Sequence, residues 1–218
     1  MIQKFKVLRV RLTVLSLVLS GVLFVLYPVI RPFSDESSLQ GAGAFASLSW
    51  VLAHSLAMVA FVLLVLGLLG LYLRLQQTTA EHRAIQALVL SWIGVGLTLP
   101  YYGAETFGLH AIGQEAVKEK NPALLSIVNS VRLQESLVFF IPGLVLLAIG
   151  TILFAIAIWK SDILPIWSGI PLAVGFALYI PQFFGPQSIR VAHGLLITIA
   201  CVLIGWRMLK PKEVVERT

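Results

Sequence analysis

Three ionisable side chains, Glu105, His54 and His193, lie within strongly apolar stretches of the chain or at their ends. Glu105 belongs to the stretch from Leu99 to His110, where a proline, two tyrosines, a glutamate and a histidine close a long apolar run. Ionisable groups are costly inside a membrane and occur there chiefly where they have partners or a function. The Glu105 carboxyl group is suited to contact a ligand or accept a proton. It is equally suited to cap a helix at the membrane surface.

The composition indicates a protein that folds in lipid. Of the 218 residues, 58% are hydrophobic and only 12% are charged, against about 25% charged in a soluble domain, and the mean hydropathy is +0.93. The net charge of +6 comes from basic residues at the ends of apolar runs, a placement that argues against a nucleic-acid partner. The single cysteine, Cys201, excludes an intramolecular disulfide, a CxxC redox pair and a thiolate metal cage.

The chain predicts an all-α, polytopic membrane protein, a bundle of six transmembrane helices of about 20 residues or more within a single membrane domain (1–218). The first apolar run is longer than a signal-peptide core, so we expect an uncleaved span. A short amphipathic helix is expected on the outer surface, at 122–131. The predicted spans are 10–30, 46–73, 84–104, 135–159, 163–183 and 189–209.

The distribution of basic residues predicts the orientation. With this topology, eleven of the 16 Lys and Arg residues lie on the side that holds both termini and five lie on the other. The positive-inside rule therefore places both termini in the cytoplasm, and we expect a multi-pass protein of the cell (inner or cytoplasmic) membrane.

The ionisable groups are predicted to share one half of the bilayer. At about 1.5 Å of rise per residue, His193, His54 and Glu105 lie roughly 21, 30 and 33 Å from the cytoplasmic charge of their helices. These depths put them in the outer half of a hydrocarbon core about 30 Å thick or at its edge. On the third helix, one stripe of small and polar residues is expected to face other helices: Ser91, Gly94, Thr98, Tyr101 and Glu105.

Prolines next to aromatic residues at the outer ends of three helices predict bent ends around a vestibule that is open to the extracytoplasmic side. We expect the ionisable groups of helices two, three and six to meet in this pocket. Arg132 and Glu135, three positions apart, are expected to form a surface ion pair. The predicted ligand-binding residues are Glu105, His193, His54, Tyr101, Tyr102, Tyr179 and Arg190.

The first functional hypothesis is the binding of a small or amphipathic ligand, including a lipid, for transport or sensing. In layout, with six helices, basic cytoplasmic ends and a site near the outer face, the chain resembles the small substrate-capture subunits of vitamin transporters. The resemblance covers the architecture and no motif, and it implies a binding site near the outer face.

Two alternatives stay open. One is a membrane-embedded enzyme, either a metal-assisted hydrolase or a haem or quinone redox protein. The sequence has no P-loop, HExxH, GxSxG or dinucleotide fingerprint, and spacing does not indicate a metal site because His54, His193 and Glu105 come from three helices. No cofactor is therefore identified. The other alternative is a structural or partner subunit without a site, associated with a partner membrane subunit or with a second copy of the chain.

Overall fold

The computed structural model describes residues 2–133 and 135–210, without the side chains of residues 2–6 and 135. This part of the chain is helical and contains no strand. Its α-helices are α1 (Ile2–Ile30), α2 (Leu39–Phe45), α3 (Leu48–Leu75), α4 (Glu81–Gly103), α5 (Leu109–Glu119), α6 (Ser126–Leu133), α7 (Glu135–Ser161), α8 (Ile170–Ala177) and α9 (Gln187–Leu209).

Five helices in the described residues are long and apolar enough to span a membrane. They correspond to five of the six predicted spans and run over Val7–Ile30, Leu48–Leu75, Glu81–Glu119, Ser136–Ser161 and Gln187–Leu209. The chain is therefore a multi-pass membrane protein by the length and composition of its helices.

The segment predicted as a span at 163–183 differs from a single long helix. It consists of a 3-10 turn (Ile166–Ser168), the eight-residue α8 and a second 3-10 turn (Pro181–Phe184). Each piece has a proline at or next to its start, Pro165, Pro171 and Pro181. Proline lacks the backbone N–H that would continue the preceding turn, so the segment divides into short pieces.

The stripe predicted on the third helix packs against α7, as expected. Ser91 and Thr98 are fully buried and donate hydrogen bonds of 2.8 Å to carbonyls one turn back in α4. A Cβ atom added at Gly94 would lie 2.6 Å from the Gly143 carbonyl oxygen, too close for any side chain. Glycine at both positions therefore lets the two helix backbones touch.

The helix that carries Glu105 continues beyond its predicted end at residue 104. α4 passes through a five-residue π-helical turn, Ala104–Gly108, into α5, so the helix runs on to Glu119. α5 packs in a second hydrophobic core, together with α2 and α6, and this core is separate from that of the bundle. Gly113 is closely packed in this core, because an added Cβ would meet the Phe45 Cβ at 2.6 Å.

Where the sequence predicts a surface helix at 122–131, the structure has a 3-10 turn (Pro122–Leu125) followed by α6. Asn121 caps this turn, since its side-chain oxygen accepts a 3.0 Å hydrogen bond from the Ala123 N–H. With α2 and α5, this segment covers one end of the bundle, the end at which α1 ends and α3, α7 and α9 begin. We call it the polar end.

Candidate functional site

A cavity of about 470 Å³ lies at the polar end of the bundle, and we call it the polar cavity. Aromatic and aliphatic side chains form most of its wall, among them Tyr27, Tyr101 and Phe140. Five charged residues also line it: Arg31, Glu36, Glu105, Arg132 and Arg190.

Glu105 is the most buried carboxylate of this wall, with 6% of its surface exposed. Arg132 in α6 donates hydrogen bonds to both carboxylate oxygens of Glu105, from Nε to Oε1 at 2.5 Å and from Nη2 to Oε2 at 3.0 Å. The indole Nε1–H of Trp50 donates a 2.7 Å hydrogen bond to the main-chain carbonyl of Glu105. Glu105 thereby ties the end of α4 to the start of α3 and to α6, and its paired charge explains how a carboxylate is tolerated here.

Glu36, in the loop after α1, extends this pair into a chain of four charges. It accepts a 2.7 Å hydrogen bond from Arg31 Nη2 with one oxygen and a hydrogen bond from Arg132 with the other. Burial alone would raise the pKa of Glu36, but the hydrogen bonds and charges of Arg132 and Arg31 outweigh it and hold the pKa below its ordinary value. Glu36 is therefore an anion at neutral pH, between two cations.

Arg132 is more buried than a surface ion pair implies, since its side chain is only 17% exposed. It pairs with Glu105 and Glu36. The expected partner side chain, that of Glu135, lies outside the described residues.

His54 lies behind Glu105 and is buried. Its Nδ1 is 2.8 Å from the Trp50 carbonyl oxygen, and because a carbonyl only accepts, Nδ1 carries a proton. Nε2 then faces Oε2 of Glu105 at 3.6 Å.

His193 does not join them, although the sequence predicts that all three groups meet. Its Nε2 lies 2.7 Å from the Gly175 carbonyl oxygen, and its ring packs edge-on against Tyr179 at 5.2 Å. The Tyr179 hydroxyl is in turn 2.8 Å from that of Tyr102. Among the described residues no hydrogen bond or ion pair links His193 to Glu105. Depth counting placed His193 in the correct half of the bundle, but it carried no information on the direction in which the ring points.

Four of the predicted ligand-binding residues line the polar cavity: Glu105, Tyr101, Tyr102 and Arg190. Tyr101 stacks on Phe140 at 3.9 Å between ring centroids. His54, Tyr179 and His193 lie behind this wall and support it through the contacts described above.

Sequence reasoning missed Arg31, Glu36 and Arg132 as members of the site. Arg31 is one of the five basic residues assigned to the outer side. It directly follows an apolar run, and this position is a signal by which a site residue could have been recognised. Glu36 pairs with a residue 96 positions away, and nothing in the local pattern indicates such a partner.

The polar cavity offers charged and aromatic groups rather than a set of metal ligands. In residues 2–133 and 135–210, as far as their side chains are described, no three His, Cys, Asp or Glu side chains come together in an arrangement that could hold a metal ion. Comparisons of the chain with protein-family models, with curated proteins and with solved structures find no match. The function therefore has to be inferred from the polar cavity itself.

Proposed function

We propose that the protein binds a small amphipathic ligand in the polar cavity, on the extracytoplasmic side of the cell (inner or cytoplasmic) membrane, and that this binding serves transport or sensing. In this proposal the chain crosses the bilayer six times with both termini in the cytoplasm.

The sixth crossing is supported by what the segment between α7 and α9 connects. α7 ends, and α9 begins, at opposite ends of the bundle. At one end of the segment, an added Cβ on Gly169 would lie 2.8 Å from the Ala155 Cα, near the end of α7. At its other end, the Phe183 carbonyl accepts a 2.8 Å hydrogen bond from Arg190, near the start of α9. The segment therefore extends along the full height of the bundle in spite of its broken helices.

The proposed orientation is supported by the charges at the two ends of the helices. Away from the polar end lie the basic residues that begin α1, close α3, open α4 and close α7 and α9: Arg9, Arg11, Arg74, Arg83, Lys160 and Arg207. Under the positive-inside rule this end faces the cytoplasm, and the polar cavity faces outward.

The observation that carries the binding proposal is the combination of size and wall chemistry in the polar cavity. A volume of about 470 Å³ lies within the range of small-molecule sites, roughly 300–1,000 Å³. Its wall joins a largely apolar surface to a few converging charges, which suits a molecule with a polar head and an apolar body. Leu133 and Phe184 line the cavity yet are 60% and 90% exposed, so it also has an apolar rim toward the lipid.

Transport or sensing requires that binding changes the protein, and the ion pair of Glu36 with Arg132 is placed to respond. Both residues line the polar cavity and also a second cavity of about 450 Å³, whose wall includes Asp35 and Asn129. The pair therefore stands between the two spaces. A ligand that competes with Glu36 for its arginine partners would loosen the loop after α1 from α6 and connect the two cavities.

The proposal is tested by native mass spectrometry of the protein released from its membrane in a mild detergent. We expect the protein to retain a small-molecule adduct, and Leu137→Trp, which fills the cavity, to abolish it. Ile149→Trp is the matched control, because Ile149 lies on the same helix, is 42% exposed and does not line the cavity. Both variants must unfold within a few degrees of the parent. A parent without any adduct, or an adduct that survives Leu137→Trp, would overturn the proposal.

A further inference from the structure

We infer that the ligand of the polar cavity is an anionic amphiphile, a hydrocarbon chain with a carboxylate or phosphate monoester head. The head lies between Arg31 and Arg190, and the chain lies along the apolar side of the cavity. This inference rests on the proposed function and names the class of ligand for the same site.

The charged groups around the cavity are unequally provided with partners. Both oxygens of Glu105 are held by Arg132, and the two oxygens of Glu36 are divided between Arg132 and Arg31. Arg190 takes part in no ion pair within the described part of the chain, and its guanidinium donates only to main-chain carbonyls, to Phe183 at 2.8 Å and to Gly185 at 3.4 Å. The carboxylates are thus engaged, whereas a cation facing the cavity retains its charge for a ligand.

A second cation, Arg31, lies beside Arg190. Both guanidinium groups lie against the ring of Phe33, with their central carbons 4.5 Å and 5.4 Å from its centroid. Like charges that share one ring repel each other, and an anion between them would turn this repulsion into two attractions. Each of these cations lines the cavity.

Arg31 also has a donor to spare. It is 8% exposed, and its buried Nε–H has no hydrogen-bond partner in the described residues. Leaving a buried donor without a partner costs about 1–3 kcal/mol, and the Nε–H groups of Arg74 and Arg207, at the other end of the bundle, share this property with Arg31. A bound carboxylate or phosphate would supply the acceptor that the Arg31 Nε–H lacks.

The apolar side of the cavity provides a surface for the hydrocarbon chain of an amphiphile. Leu137 and Ile141 of α7 form one flank, and Ile180 and Phe184 form the other. Ile141 is 38% exposed and Phe184 is 90% exposed, so the flanks lead from the arginines to the surface that the lipid covers. A cationic amphiphile fits less well, because its head would have to displace Arg132 from a carboxylate.

The test measures binding of radiolabelled oleate to the purified full-length protein in an uncharged detergent. Oleyl alcohol has the same chain without charge, acetate has the same head without the chain, and dodecyl phosphate replaces the carboxylate by a phosphate monoester. We expect saturable binding of the radiolabelled oleate. Excess unlabelled oleate or dodecyl phosphate should abolish this binding, whereas oleyl alcohol or acetate should change it by less than twofold.

Arg190→Gln is expected to weaken oleate binding roughly ten- to hundredfold, the loss for one hydrogen-bonded charge in a partly buried site. Arg207→Gln is the matched control. Arg207 lies on the same helix at the other end and packs against two rings, at 4.9 Å from Trp167 and 4.6 Å from Trp206, much as Arg190 packs against two phenylalanines. It should bind oleate within twofold of the parent.

The outcomes separate this inference from the proposed function. If oleyl alcohol competes as well as oleate, or if Arg190→Gln binds oleate like the parent, the anionic head is refuted while the cavity remains a ligand site. If neither oleate nor oleyl alcohol binds saturably, and Leu137→Trp leaves the native mass spectrum unchanged, the proposed function fails as well. Should Arg190→Gln not fold, the comparison of oleate with oleyl alcohol on the parent protein decides the question alone.

Discussion

Replacing Arg132 by methionine should destabilise the protein far more than removing its more exposed partner Glu36. Methionine keeps much of the length of the side chain and removes its charge and hydrogen bonds. Glu105 would then be a carboxylate that is 7% exposed and has no arginine against it, with the imidazole Nε2 of His54 3.6 Å from its Oε2.

The size of the effect follows from burial. Removing one partner of a buried ion pair costs about 3–5 kcal/mol, because the other charge stays behind without compensation. The Glu36 side chain is 31% exposed, and solvent screens its pair with Arg132, so Glu36→Gln should cost only about 1 kcal/mol or less. The double variant Arg132→Met, Glu105→Gln buries no lone charge and should be more stable than Arg132→Met by roughly 2 kcal/mol or more.

The free energy of unfolding can be measured by titrating the protein in mixed micelles with sodium dodecyl sulfate and following tryptophan fluorescence. Equal losses for Arg132→Met and Glu36→Gln would refute the reasoning. The reasoning would also be refuted if the double variant lost as much free energy of unfolding as Arg132→Met and Glu105→Gln lose together when each is measured alone. Glu105 would then not depend on Arg132.

Three further predictions concern packing, a buried hydrogen bond and pH. Gly143→Ala should destabilise the bundle by about 1–3 kcal/mol, because the new Cβ would lie 2.7 Å from Thr98 Oγ1, whereas Gly96→Ala, with open space around it, should be neutral or slightly stabilising in the same titration. Tyr102→Phe should cost about 1–3 kcal/mol because it leaves the Tyr179 hydroxyl buried without its partner at 2.8 Å, and adding Tyr179→Phe should recover part of that loss, so a fully additive pair would contradict this. Because the pKa of Glu36 is lowered on folding, its contribution to stability is complete above the ordinary value of 4.5 and is lost as the pH falls through the lowered pKa. The thermal unfolding temperature, measured between pH 3 and pH 6, should therefore depend less on pH for Glu36→Gln than for the parent. Equal pH profiles for the two proteins would exclude the effect.

The spans could be predicted where a run of apolar residues determines the structure by itself. Five runs are long helices as expected, since a helix is the way to satisfy backbone hydrogen bonds in lipid. The run at 163–183 has the same composition, but its prolines divide it into short helices, and hydropathy does not detect that division. α2 escaped prediction because its seven residues are too short to show a period.

The candidate site could be predicted only as far as one helix determines it. The spacing of Ser91, Gly94 and Thr98 correctly indicated a face turned toward other helices, and in the structure this part of α4 packs against α7. The partners of Glu105 come from loops and short helices far away in the chain, and a sequence pattern describes only neighbours along one element. For that reason only the structure reveals Arg132 and Glu36 as partners in the site. The direction of the His193 ring could not be inferred from the depth of the residue in the bilayer.

The π-helical turn at Ala104–Gly108 has a consequence for how this chain tolerates insertions and deletions. Its wider winding takes up one residue more than an α-helical turn, and each residue of an α-helix corresponds to about 100° of rotation. Deleting one residue there would leave an ordinary α-helical turn and keep the downstream side chains in nearly the same direction, so that Gly113 would still lie against Phe45. We expect this turn to accept the loss of one residue more readily than the regular parts of α4 and α5, where the same deletion would rotate everything downstream by about 100°.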